Sequence, residues 1–329
     1  MAIYMINGGV GKHIAFTALI DKLAEKGEVQ MMTAYPDVFR HHPKVKASYS
    51  HEEPGLYDRV PRDTDIIFRE PYYSPFVFAK THLLYEWAKL LGIEYEGELP
   101  QWHSCKKWYR EAKEVIKKIP KKKFILVQFG GGQSPYDVNQ PRVFIPQGQR
   151  RAYPLNMAQD FINQFTKAHP DIAVVNYSMV NEEYSHLGGC CVLNTAYWLY
   201  PELLKASMGF VGIDSSLQHM AAGVGVSGVV IWGATGPEQF GYPIHGNISN
   251  TTNHHMRPLC ARFGDNKNAD GSMWVDRDIL STAVPVDKLM EVTEAMLDMK
   301  LNKEETKGIA EDDCDCDDDC GEDCKCKGA

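Results

Sequence analysis

A group of small polar residues follows a buried-strand pattern late in the chain, and its spacing suits the binding of an anion. Asp214 ends the apolar run 210–213, and Ser215 and Ser216 then open a helical pattern. Backbone N–H groups and small hydroxyls at a helix start favour a negatively charged group such as a diphosphate. His219, in the first turn, could face the same pocket. In the alternative interpretation, Asp214 or Ser215 is only an N-cap and His219 is a core histidine.

Two glycine-containing loops are expected at the same edge of this sheet. An apolar run that ends at Phe129 leads directly into Gly130 and Gly131. Another apolar run is followed by a loop that contains Thr235 and Gly236. Open α/β sheets bind ligands at the carboxyl ends of their strands, so these loops are predicted to line one site.

The first loop of the chain is also rich in glycine, and it ends in a lysine. The run Gly8-Gly9-Val10-Gly11-Lys12 matches part of a variant Walker A sequence, whose backbone cradles phosphates. However, Asn7 replaces the signature lysine, and His13 replaces the hydroxyl residue that would hold Mg²⁺. A P-loop ATPase is therefore one alternative function. A glycine turn that lets the backbone pass close to a ligand or a neighbouring segment is another interpretation.

The elements that must position these loops follow from the apolar periodicity. Strands are predicted at 3–6, 29–33, 45–49, 65–69, 124–129, 172–177, 191–193, 210–213 and 229–232. Helices are predicted at 15–23, 79–91, 105–123, 154–168, 200–206 and 216–223. Alternating strands and helices imply parallel sheets, so the fold class is α/β. Because the strand and glycine-loop pattern restarts near residue 124, we predict two Rossmann-like domains, 1–120 and 121–302, and a tail, 303–329.

Charge and cysteine are concentrated in that tail. The formal charge of the chain is −8, of which residues 303–329 carry −7 and residues 1–302 carry −1. Five of the nine cysteines lie in the tail as well. Thiolates suit Zn²⁺ or Cu(I), but the tail has no histidine and no apolar shell, so a disordered acidic appendage is at least as well supported. His254, His255 and Cys260 give only a weak metal signal, and no metal site is predicted.

The body of the chain has the composition of an ordinary globular protein, with 44% hydrophobic and 24% charged residues. No stretch reaches the roughly 18 apolar residues of a membrane span, and the first residues do not resemble a signal peptide. Its few, irregularly spaced cysteines do not form a secreted disulfide pattern. A cytoplasmic location is therefore expected.

The residues that end the second-domain strands also form a recognisable signature. Its members are Asp214, Ser215, His219, Ala221, Ala222, Gly233, Thr235 and Pro237. This pattern resembles the donor-binding signature of glycosyltransferase family 9, the heptosyltransferases of lipopolysaccharide core synthesis, although Ser216 stands where glycine is usual. Arg151-Ala152-Tyr153-Pro154 resembles the family's Lys-x-Trp-Pro, and Gly130-Gly131 resembles its second-domain loop. The run from Gly9 to Ile14 resembles the family's Gly-x-Gly-Asp-x-Leu.

The resemblance implies a GT-B fold, in which two Rossmann-like domains face each other across a cleft. A nucleotide-diphosphate sugar would bind mainly to the C-terminal domain as a co-substrate, with no cofactor, and the acceptor to the N-terminal domain. Transfer would be metal-independent and inverting. The implied donor-binding residues are Gly130, Gly131, Arg151, Asp214, Ser215, Ser216, Leu217, His219, Thr235 and Gly236. Gly9 and Gly11 would belong to the acceptor loop.

One departure from the family concerns the catalytic base. The family's aspartate, which takes the proton of the acceptor hydroxyl, is replaced by Lys12. A lysine at its usual pKa is protonated and cannot accept that proton. Four possibilities remain open: burial makes Lys12 a base, His13 is the base, Lys12 binds an anionic group, or the chain binds a nucleotide sugar without catalysis. Of these, His13 is weakly favoured.

The acceptor is less well specified than the donor. The predicted helix 105–123 carries nine basic residues, which could follow an anionic acceptor but are more often a solvated face. Tyr72, Tyr73, Phe76 and Trp102 could stack on a sugar or a base, although most such aromatics are core residues. The family's acceptor is a lipopolysaccharide glycan. The departures at Lys12 and Ser216 also leave room for a hydroxylated DNA base, of the kind that virus-encoded glycosyltransferases modify.

Overall fold

The computed structural model describes residues 2–60, 64–71, 81–131, 151–177, 182–193, 195–233, 235–250 and 282–306. His254, His255, Cys260 and the five tail cysteines lie outside these residues, as do Tyr72, Tyr73 and Phe76. No helix in the described ranges has both the length and the apolar character needed to cross a bilayer.

The strands form two parallel sheets, which confirms the predicted fold class. The first sheet has the order β3-β2-β1-β4, and the second has the order β10-β9-β8-β5-β6-β7. The strands are β1 Ala2–Ile6, β2 Val29–Thr33, β3 Val45–Ser50, β4 Asp65–Phe68, β5 Lys123–Gln128, β6 Ile172–Asn176, β7 Cys191–Val192, β8 Phe210–Ile213, β9 Gly228–Trp232 and β10 Gly246–Ser249.

Helices connect most of these strands, as parallel pairing requires. The helices are α1 Val10–Phe16, α2 Ile20–Lys26, α3 Asp37–Arg40, α4 Leu56–Arg59, α5 Leu83–Leu91, α6 Lys106–Ile116, α7 Leu155–Ala168, α8 Glu182–Ser185, α9 Tyr200–Ala206, α10 Ser216–Gly223, α11 Pro237–Phe240 and α12 Val286–Thr306. One turn of 3-10 helix separates α1 from α2. There the Thr17 hydroxyl donates to the Ile14 carbonyl at 2.6 Å, so the side chain competes for a backbone acceptor.

Strand β5 lies inside the second sheet and explains the continuous apolar run in the sequence. Phe124 and Leu126 pack into the core cluster that contains residues of α9 and α10. Ile125 and Val127 point to the opposite face and pack with residues of α7 and α12. Successive side chains of a strand alternate between faces, so a strand that is covered on both faces is apolar throughout.

Two predicted helices are shorter in the structure. The stretch predicted at 105–123 is helical only to Ile116, because Pro120 disfavours helical geometry at Ile119 and the last turn closes with short-range bonds. Helix α5 begins at Leu83 rather than at 79, because Nδ1 of His82 accepts from the N–H of Leu84 at 3.3 Å and caps the helix.

Helix α6 packs against helix α9 of the second sheet through an aromatic cluster. Trp108 and Trp102 are both buried, with ring centroids 6.1 Å apart, and the backbone N–H of Trp102 donates to the carbonyl of Gly223 at 3.0 Å. Trp102 is therefore a core residue and does not offer a stacking surface. Burial of each large aromatic side chain contributes roughly 1.5–3 kcal/mol. The domain boundary at 120/121 stays a prediction.

His13 lies wholly inside the first sheet's core, with no exposed surface. Its Nδ1 lies 2.9 Å from the Gly9 carbonyl and its Nε2 lies 3.2 Å from the Ile6 carbonyl. Burial lowers the pKa of His13 to about 4, although both carbonyls favour the protonated ring. The ring is therefore neutral at pH 7 and serves to hold the first loop against the end of β1.

This burial predicts a pH dependence of stability. Between pH 6.5 and about 4 the unfolded chain binds a proton at His13 that the folded chain does not. The free energy of unfolding should therefore fall as the pH falls through this range, by up to about 1.4 kcal/mol per pH unit from this residue. Urea unfolding followed by tryptophan fluorescence at about pH 7, 6 and 5 measures it. In His13→Asn, whose amide can still donate to Gly9, the slope should be shallower; an unchanged slope would contradict the assignment.

Candidate active site

The carboxyl edge of the second sheet is organised around the start of helix α10. Ser215 occupies the N-cap position in extended geometry, but its side chain makes no capping bond to the helix. The capping group is Gln128 at the end of β5: its Oε1 accepts from the N–H of Leu217 at 3.1 Å, and its Nε2 donates to the Ser215 hydroxyl at 3.0 Å. Gln128 thus joins two neighbouring strand ends. It also engages the N–H of Leu217, one of the residues that the family resemblance implies in donor binding.

Asp214 is a buried anchor that joins several segments at this edge. Its Oδ1 accepts from Gln218 Nε2 at 2.9 Å, and its Oδ2 accepts from the Thr235 hydroxyl at 2.6 Å. Arg151 Nη1 lies 3.4 Å from Oδ2 and donates to the Asp214 carbonyl at 2.9 Å. The residue is only 3% exposed. Its carboxylate therefore holds Arg151 and Thr235 in place. The family resemblance implied a direct contact between Asp214 and the donor, and it did not indicate this positioning role.

Arg151 brings a positive charge to the N-terminal end of α10. Its side chain is partly exposed, and its contacts with Asp214 use one of the guanidinium nitrogens. A guanidinium has five N–H donors in a planar fork, which suits phosphate oxygens. Ser216, the first residue of α10, donates from its hydroxyl to the Tyr177 hydroxyl at 3.3 Å. Burial raises the pKa of Tyr177, so its hydroxyl remains neutral.

The remaining predicted donor residues are placed around this centre. Gly130 and Gly131 follow β5 after Phe129, at the same edge as Gln128. Gly236 is the N-cap of α11, and its carbonyl accepts from the Gln239 N–H at 3.1 Å. The structure therefore brings the loops after β5, β8 and β9 to one edge of the second sheet, as the sequence predicted.

His219 faces the first sheet across a close backbone approach. A Cβ on Gly11 would lie 2.8 Å from Cδ2 of His219 and 3.2 Å from Cα of Ser216. Helix α1 can therefore lie against α10 only because residue 11 has no side chain. Gly9, by contrast, has no atom within 4 Å of a built Cβ. The glycine of the first loop that makes close contact is Gly11, and the contact is with the second sheet's helix.

Hydrogen bonds from two histidine rings extend this junction. His219 Nδ1 lies 2.8 Å from the Tyr242 hydroxyl, and His82 Nε2 lies 3.0 Å from the Gly241 carbonyl. Burial lowers the pKa of His219 to about 4 and lowers that of His82. His82 accepts at Nδ1 from Leu84, so its neutral tautomer carries the proton on Nε2 and donates it to Gly241. The chain segments on either side of the junction are thus joined by neutral hydrogen bonds.

The structure separates the roles of Lys12 and His13. The Lys12 ammonium forms an ion pair with Glu70 and donates to Asn7 Oδ1 at 3.3 Å. His13 is in the core and presents neither ring nitrogen to the α10 junction. These positions do not favour either residue as a base. Nor do they favour a P-loop, because the lysine that would reach a phosphate is held by a glutamate.

Several site residues were not identified from the sequence: Gln128, Tyr177, Gln218, Tyr242 and Glu70. Gln128 could have been identified, since a buried polar residue at the end of an otherwise apolar strand requires a hydrogen-bond partner. The others depend on contacts between distant segments. Within the described residues, the structure shows no group of three metal-ligating side chains.

Removal of the Gln128 side chain should destabilise the α10 start. Gln128→Ala leaves the buried Leu217 N–H without its acceptor, at a cost of about 1–3 kcal/mol in unfolding free energy. The matched control is Gln159→Ala, whose side chain accepts from the Gly188 N–H at the surface and should cost less. Urea unfolding measures both, and equal losses would contradict the importance of the buried bond.

No protein-family model and no curated protein matches the chain. It resembles a glycosyl transferase family 9 structure from Veillonella parvula (TM-score 0.63, 12% identity, 91% of this chain and 97% of that one). It also resembles E. coli ADP-heptose lipopolysaccharide heptosyltransferase II, with a TM-score of 0.59 and 14% identity over 92% of this chain and 100% of that one. A third similar structure is the dodecameric iron-containing heptosyltransferase TibC with ADP-D-β-D-heptose, with a TM-score of 0.58 and 13% identity over 93% of this chain and 77% of that one. The two parallel sheets, with their loops meeting at the α10 junction, thus have the GT-B fold of the family 9 glycosyltransferases.

Proposed function

We propose that this chain transfers a sugar from a nucleotide-diphosphate sugar to a hydroxyl group of a glycan. The observation that carries the proposal is the pairing of a helix start with a guanidinium at the carboxyl edge of the second sheet. Helix α10 begins there beside Arg151, and the first loop of the other sheet lies against it. A diphosphate is the ligand that these groups suit best.

The donor-binding groups are held before any ligand arrives. Gln128 fixes Ser215 and the first turn of α10, while Asp214 fixes Arg151. Pre-organised donors do not need to be ordered on binding, so more of the interaction free energy appears as affinity. Gly130 and Gly131 at the same edge would allow the donor to approach the backbone closely.

The structural neighbours indicate which donor to test first. Heptosyltransferase II is named for ADP-heptose, and TibC was solved with ADP-D-β-D-heptose. An ADP-sugar is therefore the first candidate donor for this chain, and a glycan hydroxyl is the first candidate acceptor. No contact in the described structure favours a DNA acceptor. Lys117 on helix α6, for example, pairs with Glu114 at 2.6 Å on an exposed surface.

The proposed reaction is a single displacement. The acceptor oxygen forms a bond to the anomeric carbon while the bond from that carbon to the diphosphate breaks, so the configuration inverts. The electron pair leaves with the diphosphate, whose growing charge is stabilised by Arg151 and the start of α10. We propose that no metal ion is required for this stabilisation.

Thermal unfolding with ADP-, UDP- and GDP-sugars, and with ATP·Mg²⁺, tests the function. One nucleotide sugar should raise the melting temperature. The chain should release nucleoside diphosphate from that sugar at the same rate with and without EDTA. NMR of the sugar product should show inversion at the anomeric carbon. Stabilisation by ATP·Mg²⁺ alone would contradict the transferase and favour an ATPase. Binding without any release would favour a silent binder, and loss of release in EDTA would contradict metal independence.

Arg151→Ala should weaken the binding of the nucleoside diphosphate by about 10- to 100-fold. Charge-assisted hydrogen bonds to a phosphate contribute about 1.5–3 kcal/mol, which corresponds to that range. Calorimetric titration measures the affinity. The control is Arg110→Ala on helix α6, which should not change it. Equal affinities for wild type and Arg151→Ala would exclude Arg151 from the donor site.

Gly11→Ala should impair both binding and turnover, because its Cβ would push α1 away from His219 and Ser216. Gly9→Ala, in the same loop, adds the same methyl group where no atom lies within 4 Å. Its donor affinity and turnover should stay within about twofold of wild type. If both variants behave alike in calorimetry and turnover, the close approach at Gly11 has no functional role.

A further inference from the structure

The ion pair between Lys12 and Glu70 lies at the carboxyl edge of the first sheet. Strands β1 and β4 are neighbours in parallel register, with Met5 opposite Phe68. The first loop follows β1, and Glu70 comes two residues after the end of β4. The two side chains are 8% and 13% exposed, so the pair is mostly shielded from water.

Lys12 is held in a defined position. Its ammonium contacts Oε1 of Glu70, Oδ1 of Asn7 at 3.3 Å, and the ring of Trp87 at 5.6 Å from the centroid. Two oxygen acceptors and an aromatic face are all partners of a cation. Lys12 therefore acts as a hydrogen-bond donor here and holds the Glu70 carboxylate at the carboxyl edge of the first sheet.

The pair is linked to the proposed donor edge through Gly11. Gly11, the residue before Lys12, lies against Ser216 and His219 in the first turn of α10. Glu70 is thus a carboxylate at the carboxyl edge of the first sheet, paired with the residue that directly follows Gly11. Among the described residues, the contact that the structure gives Glu70 is with Lys12, through Oε1.

We propose that Glu70 is the catalytic base of the transfer and that Lys12 is its positioning residue. In the step, the acceptor O–H bond breaks and its proton passes to the Glu70 carboxylate. The acceptor oxygen then bonds to the anomeric carbon, and the diphosphate departs with the electron pair of the broken bond. The partial exposure of Glu70 lets the proton exchange with solvent afterwards. This proposal rests on the proposed function.

The proposal accounts for the lysine at the position of the family's aspartate. The first loop no longer supplies the carboxylate itself; it supplies an ammonium that orients a carboxylate from the neighbouring strand. His13 is not needed as a base, which agrees with its burial between two carbonyls.

The test compares Glu70→Gln, Glu70→Asp and a matched control in the full chain. The control is Glu28→Gln, a glutamate paired with Lys46 at 2.6 Å that precedes β2 at the opposite edge of the same sheet. The probes are the ADP-, UDP- and GDP-sugars. Turnover is the release of nucleoside diphosphate, with water or added oligosaccharide as acceptor. Affinity for the free nucleoside diphosphate is measured in parallel by calorimetry.

Glu70→Gln should lower kcat by about 100-fold or more while leaving nucleoside diphosphate affinity within about twofold. Glu70→Asp should retain part of the rate, and Glu28→Gln should retain all of it. Thermal unfolding of each variant shows whether it is folded.

Each outcome decides between the proposals. If a nucleoside diphosphate binds and Glu70→Gln turns over as fast as wild type, Glu70 is not the base and the donor site stands. If affinity and kcat fall together in a folded Glu70→Gln, the residue supports donor binding and the base assignment is overturned. If wild type neither binds nor turns over any of the probes, the proposed function fails and the role of Glu70 fails with it.

Discussion

The buried carboxylate of Asp214 is the interaction on which the candidate site depends. A charge removed from water is costly unless it is paired and hydrogen-bonded, and Asp214 is satisfied by Gln218, Thr235 and Arg151. These partners come from helix α10, the loop after β9 and the segment before α7. The hydrogen bonds and the ion pair to this one carboxylate therefore fix the relative positions of three separate segments at the sheet edge.

A second constraint is the close contact between the two sheets' helices. Gly11 allows α1 to lie against α10, and the partly buried hydrogen bond between His82 and Gly241 joins distant segments beside it. As a result, the carboxyl edges of two sheets lie together. A transferase of this fold needs such an arrangement, because the reacting groups of donor and acceptor must be brought to one place.

Much of the fold was predictable from local pattern. Strand β8, helix α9 and helix α10 occupy the predicted residues, since apolar runs and helical spacing are local properties. The start of α5 and the C-terminal end of α6 were not predicted, because His82 and Pro120 act through capping and backbone geometry. No tertiary information was needed to predict an α/β chain with glycine loops at the strand ends. The resemblance to family 9 also came from the sequence alone.

The sequence by itself thus determined the fold class and predicted that the loops after β5, β8 and β9 share one edge of the second sheet. Only the tertiary structure decided which polar groups are already engaged. Asp214 holds Arg151 from a distant segment, Gln128 uses the Leu217 N–H, and Lys12 is paired with Glu70. Such partners are 58 or more residues apart in each case, so no local spacing identifies them. A buried charge or donor is satisfied by whatever the fold places beside it, and that placement is a property of the packed chain.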